Sequence, residues 1–320
     1  MTLERESEAR TPTPLVSLVM PAWNPNPAWL RQAVASALGQ EGCEIELIVV
    51  DDGSDTPVED LLDGLEDERM RVLRVPHGRV SSARNAGIEV ARGDYFRFID
   101  CDDVILSDST SHLLALVGGE DHVIAYGATL ACDEELQPLS LIASTLQGRV
   151  AESCLLNRFA TTIHSLLFPR PIVEEIGPWE PSIVVSQDWD YSLRAFERAP
   201  VRGDRRIATY YRMHAGMNSR NVEEGIRGYR LVVDRYFERH PEQRGERLHR
   251  RAAALFHLFA AVQLATTLRR YRASVGHVRR ALALDPVMAL AALPRHGAMP
   301  LMPTAHLVRR LLPRRWLRQS

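Results

Sequence analysis

Short apolar runs alternate with amphipathic segments along the first hundred residues of the chain. Four apolar runs are predicted to be strands: 15–20, 45–50, 70–75 and 95–99. Three intervening segments carry apolar residues at helical spacing and are predicted to be helices: 27–38, 57–65 and 80–91. This order predicts an α/β fold, a Rossmann-like sandwich with a mostly parallel central sheet and helices on both faces.

Beyond residue 106 the pattern is less regular. Strands are predicted at 122–131, 161–168 and 206–214, and a helix with acidic residues in its first turn is predicted at 187–199. After about residue 221 the pattern is wholly helical. The chain is therefore divided into a flexible N-terminal segment, 1–13; two halves of one catalytic domain, 14–106 and 107–220; and an Arg-rich, all-helical C-terminal region, 221–320.

Composition indicates a globular protein, because 45% of its 320 residues are hydrophobic and 25% are charged. The polar, acidic N-terminus lacks the features of a signal peptide, so we expect no export. Four scattered cysteines without a CxxC pair favour reduced thiols in a cytoplasmic protein. The apolar run 252–268 contains His257 and Gln263 and is shorter than the roughly 20 residues of a membrane span, so we expect a packed helix.

Two features of the charged residues narrow the function. All 39 residues in the Lys+Arg count are arginine, which excludes a Walker-type phosphate lysine, a Schiff-base lysine and a kinase-type lysine. The net charge of −2 divides into −14 over residues 1–240 and +12 over residues 241–320. We therefore expect the two parts to face different surroundings, with an anionic surface suited to the second.

Carboxylates gather at the ends of two predicted strands, where ligands bind in parallel sheets. Asp51 and Asp52 follow the second strand, in a sequence that also suits a plain turn. Asp100, Asp102 and Asp103 follow the fourth strand, and burying them together is costly unless a cation compensates their charge. Mg²⁺ or Mn²⁺ takes such oxygen ligands, so the D-x-D pair is a candidate metal site.

Three further residues are candidates, each with a structural alternative. Arg84 precedes the acidic strand and either grips a diphosphate or is a solvated helix arginine. Asp188 either removes a proton from an attacking hydroxyl or caps the helix at 187–199. His214 follows the last predicted strand and is either a metal or phosphate ligand or a structural histidine.

Four stretches, in this order and spacing, resemble the family 2 glycosyltransferases with the GT-A fold: VSLVMPAWN, ELIVVDDGSDT, SSARNAGIEVARGDYFRFIDCDD and SQDWDYSLR. The resemblance covers residues 14–220. It implies that 14–106 binds the nucleotide-sugar and that 107–220 binds the acceptor and carries the catalytic base. Trp23 stands where tyrosine is usual and Gln187 where glutamate is frequent, which leaves fine specificity open.

The resemblance also implies roles for single residues. Pro21, Trp23 and Asp52 would surround the nucleotide base, and Arg84 would lie near the diphosphate. The full nucleotide-sugar site would consist of Pro21, Trp23, Asn24, Asp52, Arg84, Asp100 and Asp102. The metal ligands would be Asp102, Asp100 and His214, and the catalytic base would be Asp188.

The implied activity is inverting, metal-dependent transfer of a sugar from a nucleotide-diphosphate donor to a hydroxyl acceptor, with a UDP-sugar as the best choice of donor. The acceptor would be a glycan, a glycolipid or a small molecule, in cell-envelope or extracellular polysaccharide synthesis. The alternative is a non-catalytic scaffold or nucleotide-sugar binder of the same fold. NAD-linked chemistry and sugar nucleotidyl transfer are disfavoured because no glycine-rich loop follows the first strand.

The C-terminal segment 306–320 combines five arginines with leucine, valine and tryptophan. Two interpretations are open. The segment makes peripheral contact with an anionic membrane, at the inner face of the cell membrane, or it is a flap that packs on the catalytic domain. Nucleic acid is not an expected partner, because the basic region contains no recognisable recognition module.

Overall fold

The computed structural model describes residues 13–217 and 221–291. Residues 1–12 of the predicted N-terminal segment and the whole basic segment 306–320 lie outside these ranges. The expectations for them, including membrane contact, stay predictions.

The segment 15–98 forms parallel strands with helices between them. The strands are β1 (Leu15–Ala22), β2 (Glu44–Asp51), β3 (Met70–Arg74) and β4 (Tyr95–Phe98). The helices are α1 (Pro27–Leu38), α2 (Val58–Leu61) and α3 (Arg79–Val90). The strand order is β3, β2, β1, β4, and all three pairings are parallel. The predicted α/β fold is confirmed.

Local sequence explains how these elements begin. The Asn26 side chain accepts hydrogen bonds from the backbone amides of Ala28 and Trp29, and Pro27 occupies the first turn of α1, where an amide has no helical partner. β1 and β2 are buried along nearly their whole length. Burial on both faces accounts for their continuous apolar sequences.

The part of the chain after β4 extends the same sheet with mixed pairing. Its strands are β5 (Val104–Ile105), β6 (Ile124–Cys132), β7 (Pro138–Ile142), β8 (Leu166–Pro169) and β9 (Val201–Arg212). Its helices are α4 (Ser109–Val117), α5 (Ala151–Leu155), α6 (Arg170–Ile176) and α7 (Gln187–Arg198). Beyond β4 the order is β8, β6, β9, β5, with β6 parallel to β9, and β7 also pairs with β6.

Two predicted elements are wrong in part. The segment 161–168 is a strand only from Leu166, because Ile163–Ser165 forms a 3-10 turn. Buried Arg97 donates to the carbonyl of His164 within this turn, and such a non-local contact leaves no local pattern. The predicted helix 57–65 shortens to α2, since the chain turns directly after it.

The C-terminal region is helical, as predicted. It contains α8 (Val222–Arg239), α9 (Arg247–Thr266), α10 (Tyr271–Leu284) and α11 (Pro286–Ala291). α9 includes most of the apolar run and packs against α8 and α10. Within the two ranges that the structure covers, no helix has both the length and the apolar composition that crossing a membrane requires.

The hydrophobic core does not stop where the helical region begins. One buried cluster contains Phe98 of β4, Tyr191 of α7, Tyr236 of α8 and Ala252 of α9. A second cluster packs α1 and α4 against β1 and β2. The first helices of the C-terminal region therefore share their core with the strand that leads into the acidic cluster.

Candidate active site

The acidic residues lie at one edge of the parallel part of the sheet. β1 pairs with β2 so that Ala22 lies opposite Asp51, and β4 runs in the same direction on the other side of β1. Because the strands are parallel, the loops that follow them meet at their carboxyl ends. This topology brings the loop of Asp52 and the loop of Asp100 to the same edge.

Asp100 is held between two basic side chains. Arg84 Nη2 donates to its Oδ1 at 2.7 Å, and His164 Nε2 lies 3.0 Å from its Oδ2. The Arg84 guanidinium, only 1% exposed, also lies over the Trp179 ring at 4.4 Å. Asn85 exchanges hydrogen bonds with the backbone of Trp179 at 2.8 and 3.0 Å. Arg84 is therefore a fixed, buried side chain rather than a solvated one.

Asp103 is fully buried and approaches the other side of the same imidazole. Its Oδ2 lies 3.1 Å from His164 Nδ1, and its Oδ1 accepts a hydrogen bond from the backbone amide of Arg212 at 2.8 Å. Asp100, Asp103 and His164 each offer one ligand atom, and these atoms all lie within 4.8 Å of one another. The three residues could hold one metal ion.

Asp102 pairs with the predicted histidine. His214 Nε2 lies 2.8 Å from Asp102 Oδ2, and the His214 ring lies 4.9 Å from the Trp29 ring. The His214 side chain is 15% exposed and the Asp102 side chain is 30% exposed, so this pair is more accessible than Asp103. His214 thus lies at the acidic cluster, and its role as a metal ligand stays a prediction.

Arg212 fixes the backbone of the acidic loop to the end of β9. Its Nε donates to the carbonyl of Asp102 at 2.8 Å, and its Nη2 donates to Gln32 Oε1 at 2.7 Å. Its guanidinium also lies 5.1 Å from the centre of the Trp29 ring. The position of Asp102 therefore depends on side chains from both α1 and β9.

The raised pKa values of Asp102 and Asp103 indicate that the acidic cluster holds more carboxylates than its basic neighbours compensate. Burial raises the pKa of Asp103 well above its usual range, and burial with the charge of Asp100 raises the pKa of Asp102. Burial acts in the same direction on Asp100, but its basic neighbours outweigh it and hold that pKa low. Burial disfavours charged His164, yet the two facing carboxylates raise its pKa to about 9. An additional cation would favour the ionised forms of Asp102 and Asp103.

The donors fit a hard divalent cation. Carboxylate oxygens suit both Mg²⁺ and Mn²⁺. Asp103 Oδ2 and both ring nitrogens of His164 are buried, and among the described residues they contact each other and Asp100 at ion-pair distances without hydrogen-bond geometry. A bound ion or water could complete the interactions of these buried polar atoms.

An exposed aromatic surface lies beside Asp52. Trp23 is 55% exposed and stacks on His77, with ring centres 4.9 Å apart. His77 Nδ1 lies 3.0 Å from Asp52 Oδ2, and the backbone amide of Gly78 donates to Asp52 Oδ1 at 2.8 Å. The arrangement offers a flat apolar face next to a fixed carboxylate, which suits a heterocyclic ring that carries hydrogen-bond donors.

Asn24 joins the loops that follow β1 and β2. Its backbone has a left-handed φ of 44°. Its backbone amide donates to Ser54 Oγ at 3.0 Å, and its Oδ1 accepts from the backbone amide of Asp55 at 2.8 Å. Pro21 is buried near the end of β1. Asn24 and Pro21 therefore position the loop that carries Trp23.

Asp188 lies in the first turn of α7 and is partly exposed. Its Oδ1 accepts a hydrogen bond from the backbone amide of Trp189 at 2.9 Å. Ser186 precedes the helix with a left-handed φ of 74°. Tyr191, one turn into the helix, packs edge-on against Phe98 of β4, with ring centres 5.5 Å apart. The first turn of α7 is thereby tied to the strand that leads into the acidic cluster.

The predicted residues therefore fall into three groups. Arg84, Asp100, Asp102 and His214 belong to the acidic cluster; Trp23, Asn24 and Asp52 belong to the aromatic surface; Asp188 belongs to α7. His164 and Arg212 were not predicted from the sequence. Their only local signals are a histidine at the start of an apolar run and an arginine two positions before His214.

The family model and the similar proteins all describe glycosyltransferases. The profile of glycosyl transferase family 2 matches residues 17–173. An uncharacterized glycosyltransferase of Rickettsia felis is 30% identical over 216 residues, which are 65% of this chain and 36% of that protein. Uncharacterized glycosyltransferase EpsJ of Bacillus subtilis is 38% identical over 197 residues, 58% of this chain and 57% of that protein.

Both relatives are longer than their matched regions, since the match spans 36% of one and 57% of the other. Among solved structures, S. aureus TarS 1-349 in complex with UDP-GlcNAc is similar, with a TM-score of 0.60 and 13% identity. The match covers 86% of this chain and 83% of that one. At this identity the likeness establishes the GT-A fold.

Proposed function

This chain belongs to glycosyl transferase family 2, and from that membership we propose that it transfers a sugar from a nucleotide-diphosphate donor to a hydroxyl acceptor. The observation that carries the proposal is the meeting of two features at one sheet edge. One is the carboxylate cluster around Asp102, and the other is the exposed ring of Trp23 beside Asp52.

The donor is a UDP-sugar in this proposal. The nucleotide base lies against the Trp23 ring and donates a hydrogen bond to Asp52. The Asp52 carboxylate is suited to this role because Gly78 and His77 fix its position. A preference for UDP is supported by the fold shared with TarS, whose structure contains UDP-GlcNAc. The Arg84 guanidinium is only 1% exposed and already donates to Asp100. In this proposal Arg84 therefore acts mainly by holding Asp100 rather than by binding the diphosphate.

The cofactor is Mg²⁺ or Mn²⁺, held by Asp102 and Asp100 with help from His214. Such an ion, when bound, neutralises charge on the diphosphate leaving group. The chain's own part is to fix the ligands. Arg212 anchors the backbone at Asp102, and Arg84 orients the Asp100 carboxylate.

Asp188 is the general base. Its Oδ1 accepts a hydrogen bond from the Trp189 amide in the first turn of α7, which restricts the orientation of the carboxylate. It removes the proton from the acceptor hydroxyl as the oxygen attacks the anomeric carbon, opposite the leaving diphosphate, and the configuration inverts. The acceptor is a glycan, glycolipid or small molecule, in cell-envelope or extracellular polysaccharide synthesis.

A non-catalytic binder of nucleotide-sugars is the second candidate. The observation that favours it is that Asp100 and Asp102 already pair with Arg84, His164 and His214. Self-compensated acids are what a protein without a metal would require. The two candidates differ in whether the wild type releases UDP from a bound UDP-sugar, and the enzyme interpretation adds that this release depends on Asp188.

Calorimetry with UDP, GDP and TDP tests the donor and the cofactor, each in Mn²⁺ and in EDTA, on the wild type and on Asp102→Ala. We expect one nucleotide to bind only with the metal, and Asp102→Ala to abolish that binding. UDP release from UDP-sugars then tests catalysis. Asp188→Asn is expected to keep nucleotide binding and to lose about 10²–10⁴-fold in turnover. Unchanged turnover in Asp188→Asn would remove Asp188 from its role as the base, whereas nucleotide binding by the wild type without any UDP release would leave the binder as the better description.

A further inference from the structure

A cavity of about 600 Å³ lies between α8, α9 and α10, in the helical region rather than at the acidic cluster. This volume is within the range of small-molecule sites. The lining of the cavity comes from all three helices and includes three arginines, three histidines and two acidic residues. None of these residues has a part in the proposed transfer reaction.

The charges around the cavity leave a positive excess. The two acidic residues of the lining are each paired, Glu223 with Arg270 at 3.1 Å and Asp234 with Arg230 at 3.4 Å. Arg227 is weakly paired, since its Nη1 lies 3.9 Å from Glu224 Oε1. Arg280 forms no ion pair with any residue in the ranges that the structure describes.

Two imidazoles face each other at this positive rim. His257 Nδ1 lies 3.0 Å from His277 Nδ1. Burial lowers the pKa of His257 to about 4, with further contributions from His277, Arg280 and Arg230, and burial with Arg280 lowers the pKa of His277. Two close nitrogens could chelate a metal ion, but the neighbouring guanidinium groups disfavour a dication. The same field favours an anion.

Part of the cavity lining is formed by apolar side chains and is called the apolar wall here. It consists of Ile226 and Val233 of α8 and Ala253 and Phe256 of α9, and the Phe256 ring lies 6.0 Å from the His277 ring. An apolar wall beside a basic rim suits a ligand that has an apolar part and an anionic group. Arginine binds phosphate in bidentate fashion, so phosphate is the anionic group that fits this rim best.

We propose that the cavity between α8, α9 and α10 binds a phosphate group carried on an apolar moiety, with Arg280 and Arg227 as its main ligands and His257 and His277 beside it. The proposal rests on the cavity and is independent of the transfer reaction. A lipid phosphate and a small free phosphate share this chemistry, and the experiment separates them.

The binding test uses the full chain and two probes, inorganic phosphate and hexyl phosphate, with hexanoate as a carboxylate control. We expect hexyl phosphate to bind about tenfold or more tightly than inorganic phosphate, because the hexyl group covers the apolar wall. Arg280→Gln is expected to weaken hexyl phosphate binding about tenfold. Arg279→Gln is the matched control, since Arg279 is exposed on the same helix and does not line the cavity.

Each outcome decides the proposal or its source. Tighter binding of hexyl phosphate, weakened only in Arg280→Gln, supports a site for a lipid-like phosphate. Equal binding of both phosphates with the same dependence on Arg280 supports a site for free phosphate. Absence of binding, equal loss in the Arg280 and Arg279 variants, or equally tight binding of hexanoate overturns the proposal.

A second readout follows from the histidine pair. Other charged or titratable groups of the lining that face this pair are Glu223, Arg227, Arg230 and Asp234 from α8, His249 from α9 and Arg280 from α10. A bound anion stabilises protonated imidazole, so binding takes up protons and tightens as the pH falls. Hexyl sulfate keeps a constant charge, and we expect its affinity to rise about tenfold from pH 7 to pH 5. His277→Gln should reduce this dependence; an unchanged dependence would remove the histidines from the site.

Discussion

Arg97 is a fully buried cation without a carboxylate partner among the described residues. It donates to the carbonyl of His164 at 3.0 Å and to the hydroxyls of Ser109 and Thr110 at 2.8 and 2.9 Å. Its second terminal nitrogen donates to the carbonyl of Ala208 at 3.1 Å. Burial lowers the pKa of Arg97 to about 9. Neutral acceptors from three elements thus hold this side chain, and through it the turn that carries His164.

Replacing Arg97 by methionine should therefore be strongly destabilising. The change leaves several buried acceptors without donors, and we expect a loss of about 3 kcal/mol or more in the free energy of unfolding. Urea denaturation measures this difference. Arg205→Met is the control, because Arg205 is exposed on β9. A similar small loss in both variants would contradict the role given to Arg97.

Glu46 predicts a pH dependence. Burial disfavours its charge, but hydrogen bonds from Arg92 and Ser17 and the charge of Arg71 outweigh burial and hold the pKa of Glu46 below its usual value. A carboxyl with a lowered pKa stabilises the fold above its unfolded pKa, and this contribution is lost as the pH falls through the folded pKa.

We expect Glu46→Gln to cost about 1–2 kcal/mol of unfolding free energy at pH 7. The gap to the wild type should close as the pH is lowered from 6 toward 3, because the wild-type carboxylate becomes protonated. Urea denaturation across this range measures the gap. Glu44→Gln, at the exposed start of the same strand, should show no such gap. A gap that is constant with pH would show that ionisation of Glu46 is not the source.

At the scale of elements, α8 supports the position of α7. Arg235 of α8 donates to Asp190 of α7 at 3.2 Å and to Glu180 at 3.0 Å. Arg239 donates to Glu197, at the other end of α7, at 2.8 Å. The helix that carries Asp188 is therefore held along its length by a helix from outside the region that resembles the transferase family.

Two glycines of α8 test this support. A Cβ atom on Gly228 would lie 1.9 Å from the carbonyl oxygen of Val185, whereas a Cβ on Gly225 would only touch the Val185 side chain at 3.9 Å. Gly228→Ala must displace the loop before α7, so we expect a loss of stability together with a fall in turnover. Gly225→Ala should be neutral or stabilise by about 0.5–1 kcal/mol, as alanine does within helices.

Thermal denaturation and UDP release measure both variants of α8. The comparison is internal, because the two positions lie one turn apart and the substitution is the same. Full turnover in Gly228→Ala would show that the loop at Val185 does not position Asp188. Equal loss in both variants would point to a general effect on the helix instead.

At the scale of the whole molecule, α8 and the sheet share one buried core. Tyr229, Val232 and Tyr236 of α8 belong to the same buried cluster as Phe98 of β4. We expect α8 and β4 to lose hydrogen-exchange protection at the same urea concentration, because neither can expose its share of the core alone. Loss of protection in α8 at clearly lower urea would show that the C-terminal region unfolds independently.

Local pattern was enough for much of the fold. The alternation of apolar runs and helical segments predicted β1 to β4 with α1 and α3, and the signal is clearest in β1 and β2, which are buried along nearly their whole length. Strand ends are also local, so the sequence indicated that Asp52, Asp100 and Asp102 would gather at one edge. The motifs around them indicated the family, which the comparisons confirm.

Only the tertiary structure decided which groups surround those acids. Arg212 reaches Asp103 across 109 positions of chain, and His164 reaches it from a turn that was predicted to be a strand. These contacts depend on how β8 and β9 join the sheet beyond β4, and periodicity carries no information about pairing between distant segments. The basic cavity between α8, α9 and α10 has the same origin. Its arginines and histidines are ordinary helix residues in sequence, and the packing of three helices alone makes them neighbours.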